Sequence, residues 1–399
     1  MARHIGDEQR RLRLGRRHLL APSVRAQDPV AVADAVVALH ATDAATVFLS
    51  VCARLTDASV SAVEHALYEE VSLVRLLSMR NTLFAVSSEL APQVHASTAR
   101  AIAAKERKRL LKHLTESSGE LDERWLAETE AAILTALAAH GTATGGELSA
   151  AVAALRTKIT VFPGTKSEAV QGVASRVLRV LAAEGRIRRD RPRGSWTSSQ
   201  FRWTASALRP AGSPAEARAE LARRWLLAYG PATEADLKWW TGWTLTATRR
   251  ALADIGAEQV SLDTGTSSGT GTGTGTSTGF VLPGDTAPET PVEPWAALLP
   301  GLDPSAMGWA DRDFHLDAGH RPALFDRSGN IGPTVWWNGV IVGGWAQRAD
   351  GEIVWRLLTD PGREAMTAIE VEAARLSSWV GTARITPRFR TPLERELTA

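Results

Sequence analysis

Residues Val36 to Leu55 read VVALHATDAATVFLSVCARL, a segment that is almost wholly apolar apart from His40, Thr42, Asp43 and Thr46. Upstream, Ala33, Val36 and His40 follow the i, i+3, i+7 spacing of an amphipathic helix, which predicts a helix with His40 at its C-terminus. Downstream, Val47, Phe48, Val51, Cys52 and Leu55 keep a helical period, so Thr42 and Asp43 are the natural N-cap of a second helix. The His-Ala-Thr-Asp step therefore reads as a tight junction between two helices that presents an imidazole, a hydroxyl and a carboxylate together. Each residue has a plainer role as well: Asp43 as an N-cap and nothing more, His40 as a half-buried histidine ending an apolar face.

Outward from this step, composition narrows the class of protein. A chain of 399 residues with 44% hydrophobic content is a folded protein of three or four domains. Its single cysteine, Cys52, cannot close an intramolecular disulfide, which fits a reducing cytosol. Neither a metal cluster nor a cofactor motif is visible. No apolar run suits a signal peptide or membrane span, so a cytoplasmic protein is expected. The net charge of +2 conceals three basic concentrations. Arg156 to Arg209 holds twelve Lys or Arg against three acids, Met1 to Arg25 seven against two, and Arg100 to Lys112 six against Glu106. Such runs suit either a solvated face or a polyanion partner, and nucleic acid is the partner they favour.

Along the chain, Leu76 to Ser87 reads LLSMRNTLFAVS, apolar residues alternating imperfectly about Arg80, Asn81 and Thr82 as in a hairpin or wing. Arg80 is placed either to reach a phosphate or to form a surface salt bridge. Residues 119–209 form the clearest module: a helix Leu121 to Ala139, a short helix near Gly146 to Leu155, a Pro163-Gly164 turn, and a third helix Lys166 to Glu184. Val170, Val173, Val177, Val180 and Leu181 make its stripe and Gly185 its C-cap. The basic hairpin RIRRDRPRGSWTSSQFRW, Arg186 to Trp203, follows. Three helices and a basic hairpin is the order of a winged helix-turn-helix, whose third helix enters a groove while the wing lies on the backbone. Lys166, Arg176 and Arg179 then belong to the recognition helix, and Arg188, Arg189, Arg191 and Arg193 to the wing. Trp196 and Trp203 offer stacking surface for bases, although the core is the more sober reading of Trp203.

Residues 213–284 repeat the plan, with helices Pro214 to Tyr229, Thr233 to Thr241 and Thr244 to Ile255 and wing strands at Gln259 to Leu262 and Gly279 to Leu282. Between them the Gly/Thr run Thr264 to Gly279 reads as a disordered wing tip. From Pro294 onward, short apolar runs broken by Asn-Gly and Asp-Gly turns predict hairpins of a small sheet or barrel, then a helix Pro361 to Val380 and a basic tail. Asp303 and Arg312 read as turn and salt-bridge residues. The expected fold is α+β: tandem winged helix-turn-helix modules followed by a small C-terminal β-sheet or barrel domain. The divisions fall at 1–118 (helical and winged-helix-like, carrying the motif), 119–210, 211–290 and 291–399.

The segments ALHATDAATVFLSVCARL, MRNTLFAV, WLLAYGPATEADLKWWTG, LLPGLDPSAMG and IGPTVWWNGVIVGGW, in this order, resemble the winged-helix DNA-binding family that includes the AlkZ/YcaQ-type alkylpurine DNA glycosylases. The resemblance implies tandem winged helices with a C-terminal β-domain embracing DNA, and hydrolysis of the N-glycosidic bond of an alkylated purine. Those glycosylases carry Gln-apolar-Gln or Gln-apolar-Asp where this chain has His40-Ala41-Thr42, so neither glutamine is present. His40 and Thr42 then stand to hold the attacking water, with Asp43 as base or counter-charge to an oxocarbenium ion. Without a lysine in the motif the enzyme would be monofunctional, with no Schiff-base lyase step, and it would need no metal. Arg80 and Thr82, in the stretch resembling the family's Arg-x-Thr segment, would bind the backbone. The expected partner is duplex DNA with an alkylated base, met by a monomer away from any membrane. The competing reading is a non-catalytic winged-helix DNA-binding protein or transcriptional regulator; a protein-interaction scaffold suits the basic wing less well.

Overall fold

The computed structural model describes residues 3–209, 211–263 and 275–399, which form a mixed α+β fold of helices and several small sheets. Around the motif, helix Pro29–Ala35 starts at Asp28, whose side chain accepts from Val30 N and Ala31 N, with Pro29 in the first turn. It cannot run on to His40. Val37 adopts φ 64°, a left-handed conformation that a β-branched residue takes only where the fold imposes it, and the chain then extends into the strand Leu39–His40. The expected helix C-terminus at His40 is thus corrected to a strand. A fully buried run of four or five apolar residues carries no period that separates the two forms. The second helix follows expectation: Asp43 caps Ala44–Cys52, accepting from Ala45 N at 3.1 Å. Every residue from Ala45 to Cys52 is buried.

The strand Leu39–His40 pairs with Thr82–Ser87, which pairs in turn with Leu73–Ser78, placing His40 and Leu76 on either side of Phe84. The hairpin expected about Arg80 is present. Its turn, Met79–Asn81, holds Arg80 at φ 53° and Asn81 at φ 62°.

In the next segment, helix Glu123–His140 starts on the Asp122 side chain and helix Gly145–Ala151 on a Thr144/Glu147 capping box. The third helix is Ala174–Ala183, not Lys166 to Glu184. Residues ahead of it form a hairpin, Lys158–Val161 with Ala169–Gly172, so Lys166 lies in a hairpin loop and Val170 is 67% exposed rather than part of the stripe. The β-branched run Ile159-Thr160-Val161 before Pro163-Gly164 is what favours strand there. Val177, Val180 and Leu181 bury as expected, together with Leu110 and Leu114 of helix Arg100–Ser117. Strands Ile187–Asp190 and Arg202–Ala205 form the basic hairpin, joined at its other edge by Thr142–Ala143. Trp203 packs in this core. Trp196 is also buried, against Phe48 and Trp379, so it offers no face to a base.

Helices Pro214–Tyr229, Glu234–Thr241 and Leu245–Asp254 start on Ser213, Thr233 and Thr244. Strands Glu258–Asp263 and Thr276–Val281 then pair, and the N-terminal strand Arg3–Ile5 adds in parallel to the first. Residues 264–274 of the Gly/Thr run, where a disordered tip was expected, lie outside the described residues; Thr276 to Gly279 are strand.

The N-terminal arginines serve this packing instead of a polyanion. Arg13 and Arg17 bond Asp285 at 3.0 and 2.7 Å, Arg17 also pairs with Glu289, and Arg10 lies 3.7 Å over the Phe314 ring. The C-terminal sheet, ordered Ala296–Leu299, Thr334–Trp337, Val340–Gln347 and Ile353–Leu357, is antiparallel throughout and is covered by helix Arg363–Val380. Asp303 pairs with Arg54 at 2.6 Å, both fully buried, tying the motif helix to this half of the molecule. Arg312 donates to the Ala306 carbonyl and lies over the Trp239 ring, with no ion pair among the described residues. Among the described residues no helix is long and apolar enough to cross a membrane.

Of the buried histidines His18, His40, His95, His113 and His315, three are shifted furthest: His18 and His40, each pushed down to about 3 mainly by burial, and His315, lowered well below the usual range for the same reason. The unfolded chain protonates them near pH 6.5 while the folded chain refuses the proton until far lower pH. Their contribution to stability is therefore complete above pH 6.5 and is lost as pH falls from there toward 3. Each histidine adds up to about 1.4 kcal/mol of stability per pH unit across that window. The urea midpoint should fall clearly between pH 7 and pH 5, and an unchanged midpoint would contradict this burial.

Candidate active cleft

The motif strand, its hairpin, helix Ala174–Ala183 and the basic hairpin enclose a cleft of about 1290 Å³. It gathers most of the residues singled out in the sequence: His40, Thr42, Arg80 and Thr82 from the first segment, and Arg176, Arg179, Arg188, Arg189 and Arg193 from the second. Asp43 lines an adjoining recess of about 520 Å³, which shares Thr42, Arg75, Arg189, Phe201 and Arg388 with the cleft. Two residues are not brought in. Lys166 stays in its hairpin loop, and Arg191 pairs with Glu64 and Glu69 while facing the Tyr68 ring.

His40 is 6% exposed, edge-on to Phe84 at 5.1 Å, and its Nδ1 has no hydrogen-bond partner. Burial, and secondarily the charge of Arg80, keeps it neutral at physiological pH, so it offers one donor and one acceptor and no cation. Thr42 Oγ1 is likewise buried without a partner. Two polar atoms within three residues are thus orphaned, and both side chains line the cleft wall. Asp43 Oδ1 caps its helix and its Oδ2 accepts from Arg388 N at 2.9 Å, which fixes the carboxylate at the positive end of the helix.

Arg80 projects from the turn rather than from a strand. Its guanidinium lies 4.0 Å from the Trp239 ring centre, its Nε is unpartnered, and burial lowers it to about 10, so it stays charged. Thr82 Oγ1 donates to the Arg80 carbonyl at 3.4 Å. The turn rests on Gly242, at φ 76°, where an added Cβ would stand 3.3 Å from Arg80 N. Gly242→Ala should cost about 1–2 kcal/mol and shift Arg80, weakening polyanion binding. Urea unfolding equal to the parent would contradict that contact.

On the opposite wall Arg176 bonds His113 and Gln171, Arg179 donates to Asn81 Oδ1 at 2.8 Å and faces Glu106, and Arg193 bonds Glu147. Arg189 lies 3.8 Å over the Phe201 ring, and burial with positive neighbours lowers it to about 10. Sequence reasoning missed Arg75 and Arg388. The one visible signal was a lone arginine inside the strand Leu73–Ser78; nothing marked Arg388 within a basic tail. Among the described residues no three His, Cys, Asp or Glu side chains stand together as metal ligands.

A family model described as DNA glycosylase AlkZ-like matches residues 33–379. Among solved structures, the Streptomyces sahachiroi DNA glycosylase AlkZ is similar, with a TM-score of 0.68 at 22% identity over 96% of this chain and 98% of that one. That likeness is one of fold. A search of curated proteins gives no match.

Proposed function

This chain belongs to the AlkZ-like DNA glycosylase family, and on that premise we propose that it hydrolyses the N-glycosidic bond of alkylated purines in duplex DNA at the cleft around His40, Thr42 and Asp43. The observation that carries the reading is convergence. One cleft is lined by His40 and Thr42, each with a buried polar atom that has no partner, together with arginines from separate segments of the chain.

An N7-alkylated purine is cationic and leaves readily, so the protein mainly has to hold water at the sugar and stabilise the oxocarbenium ion that develops. Neutral His40 accepts or donates one hydrogen bond to that water and Thr42 another, while Asp43, fixed by two backbone N–H donors, supplies the negative charge or takes the proton. No lysine stands in the motif, so water displaces the base directly and the sugar stays in the strand as an abasic site, without a Schiff base. Arg80, Thr82, Arg176, Arg179, Arg188, Arg189 and Arg193 hold the backbone, and Lys166 and Arg191 are left to the rim. Extruding the base costs a few kcal/mol, less where it is damaged.

We read 119–210 as a winged helix. Its support is the order of three helices, with a basic hairpin whose strand pairs back to the residues between the first two. We read 211–290 as a second copy, with 1–118 and 291–399 completing a monomer around DNA. The test is a duplex with one N7-methylguanine: free base should appear, leaving a site that breaks only with added alkali. Steeply salt-dependent binding without release of this or bulkier alkylpurines would leave only the DNA-binding body.

A further inference from the structure

The recess beside Asp43 holds more positive charge than its surroundings neutralise. Arg75 is 9% exposed; its Nη1 donates to Tyr68 Oη at 2.7 Å and its Nη2 has no partner. Arg189, stacked on Phe201, has Arg75, Arg179 and Arg388 as its charged neighbours, and no ion pair involves Arg75, Arg189 or Arg388 among the described residues. Arg388 enters from the exposed side, on the chain whose backbone N–H bonds Asp43. Two carboxylates border the recess, and each is already engaged by a backbone donor: Asp43 Oδ2 by Arg388 N and Asp190 Oδ1 by Arg191 N at 2.7 Å.

Guanidiniums gathered without carboxylate partners, one of them nine-tenths buried with a free Nη, form a site for an anion with several acceptor oxygens. A phosphodiester is such an anion, and its two non-bridging oxygens match two guanidinium forks. We propose that Arg75, Arg189 and Arg388 clamp the backbone phosphate next to the target nucleotide, seating its deoxyribose against Thr42 and Asp43. This rests on the glycosylase reading. The same three arginines line both the recess and the cleft, so the phosphate they hold lies at the boundary between the two.

The test is binding, which needs no turnover. Duplexes carrying a tetrahydrofuran abasic analogue are made with one neutral methylphosphonate at successive positions, and affinity is measured for the wild type, Arg75→Gln and Arg388→Gln. Arg388→Gln guards against a folding defect at the buried position. The wild type should lose about tenfold at one linkage flanking the abasic site. Both variants should be indifferent to that linkage and show a salt slope shallower by about one. Variants that keep the full penalty, or a wild type that binds with a steep salt slope yet is indifferent to every flanking linkage, would overturn the clamp and leave DNA binding intact. A wild type that binds no duplex would overturn the clamp and the glycosylase reading together.

Discussion

Asp43→Asn should lower single-turnover base release by about 10²–10⁴-fold, the range expected for loss of a positioned base or counter-charge, while duplex affinity stays within a few fold. The substitution isolates charge from structure. Asparagine caps helices about as well as aspartate, so its carbonyl can keep the bond from Ala45 N and helix Ala44–Cys52 remains seated. Only the bond from Arg388 N is at risk, because an amide nitrogen cannot accept it. Asp43→Ala, by contrast, removes cap and charge together and adds about 1 kcal/mol of instability. Activity retained in the asparagine variant would reduce Asp43 to the plain N-cap its position already permits.

The largest stability effect belongs to Asp303. Its oxygens take two bonds from Arg54, one from Ser50 Oγ and one from Ser305 N. Arg54 also donates to the His18 and Ser50 carbonyls and to Ser305 Oγ, so all its donors are used inside the core. Asp303→Ala strands a fully buried guanidinium and should cost about 3–5 kcal/mol, measured by urea unfolding. Replacing the pair together, Arg54→Met with Asp303→Leu, should recover much of that loss, since the penalty lies in the uncompensated charge and not in the absence of the bridge. A single variant as stable as the parent would contradict the burial of the pair.

How much was legible in the sequence follows from how local each signal is. The helices of residues 214–254 and the hairpin around Arg80 carry their own punctuation, in the Ser213, Thr233 and Thr244 caps and in the apolar runs on either side of Arg80-Asn81. His40 was misplaced because the strand Leu39–His40 is two residues long and fully buried, so no period distinguishes it from the end of a helix. Lys166 was misplaced because the exposed Val170 happened to continue the spacing of the true helix. Charge counts located basic segments but not their partners. Arg13 and Arg17 meet Asp285 across most of the chain, and Arg3–Ile5 joins Glu258–Asp263, contacts that no local pattern encodes. The motif residues and most of the cleft arginines were visible from residue type. Arg75 and Arg388 gained meaning only when the fold placed them beside Arg189.

The measurement that bears most directly on the central claim does not depend on knowing the lesion. If the cleft stabilises an oxocarbenium ion through Asp43, a duplex carrying a cationic pyrrolidine in place of the target sugar should bind at least about tenfold more tightly than one carrying the neutral tetrahydrofuran, as transition-state mimics do. Asp43→Asn should abolish the difference. Equal affinity of the wild type for the two duplexes would contradict a glycosylase centred on the His40 to Asp43 step.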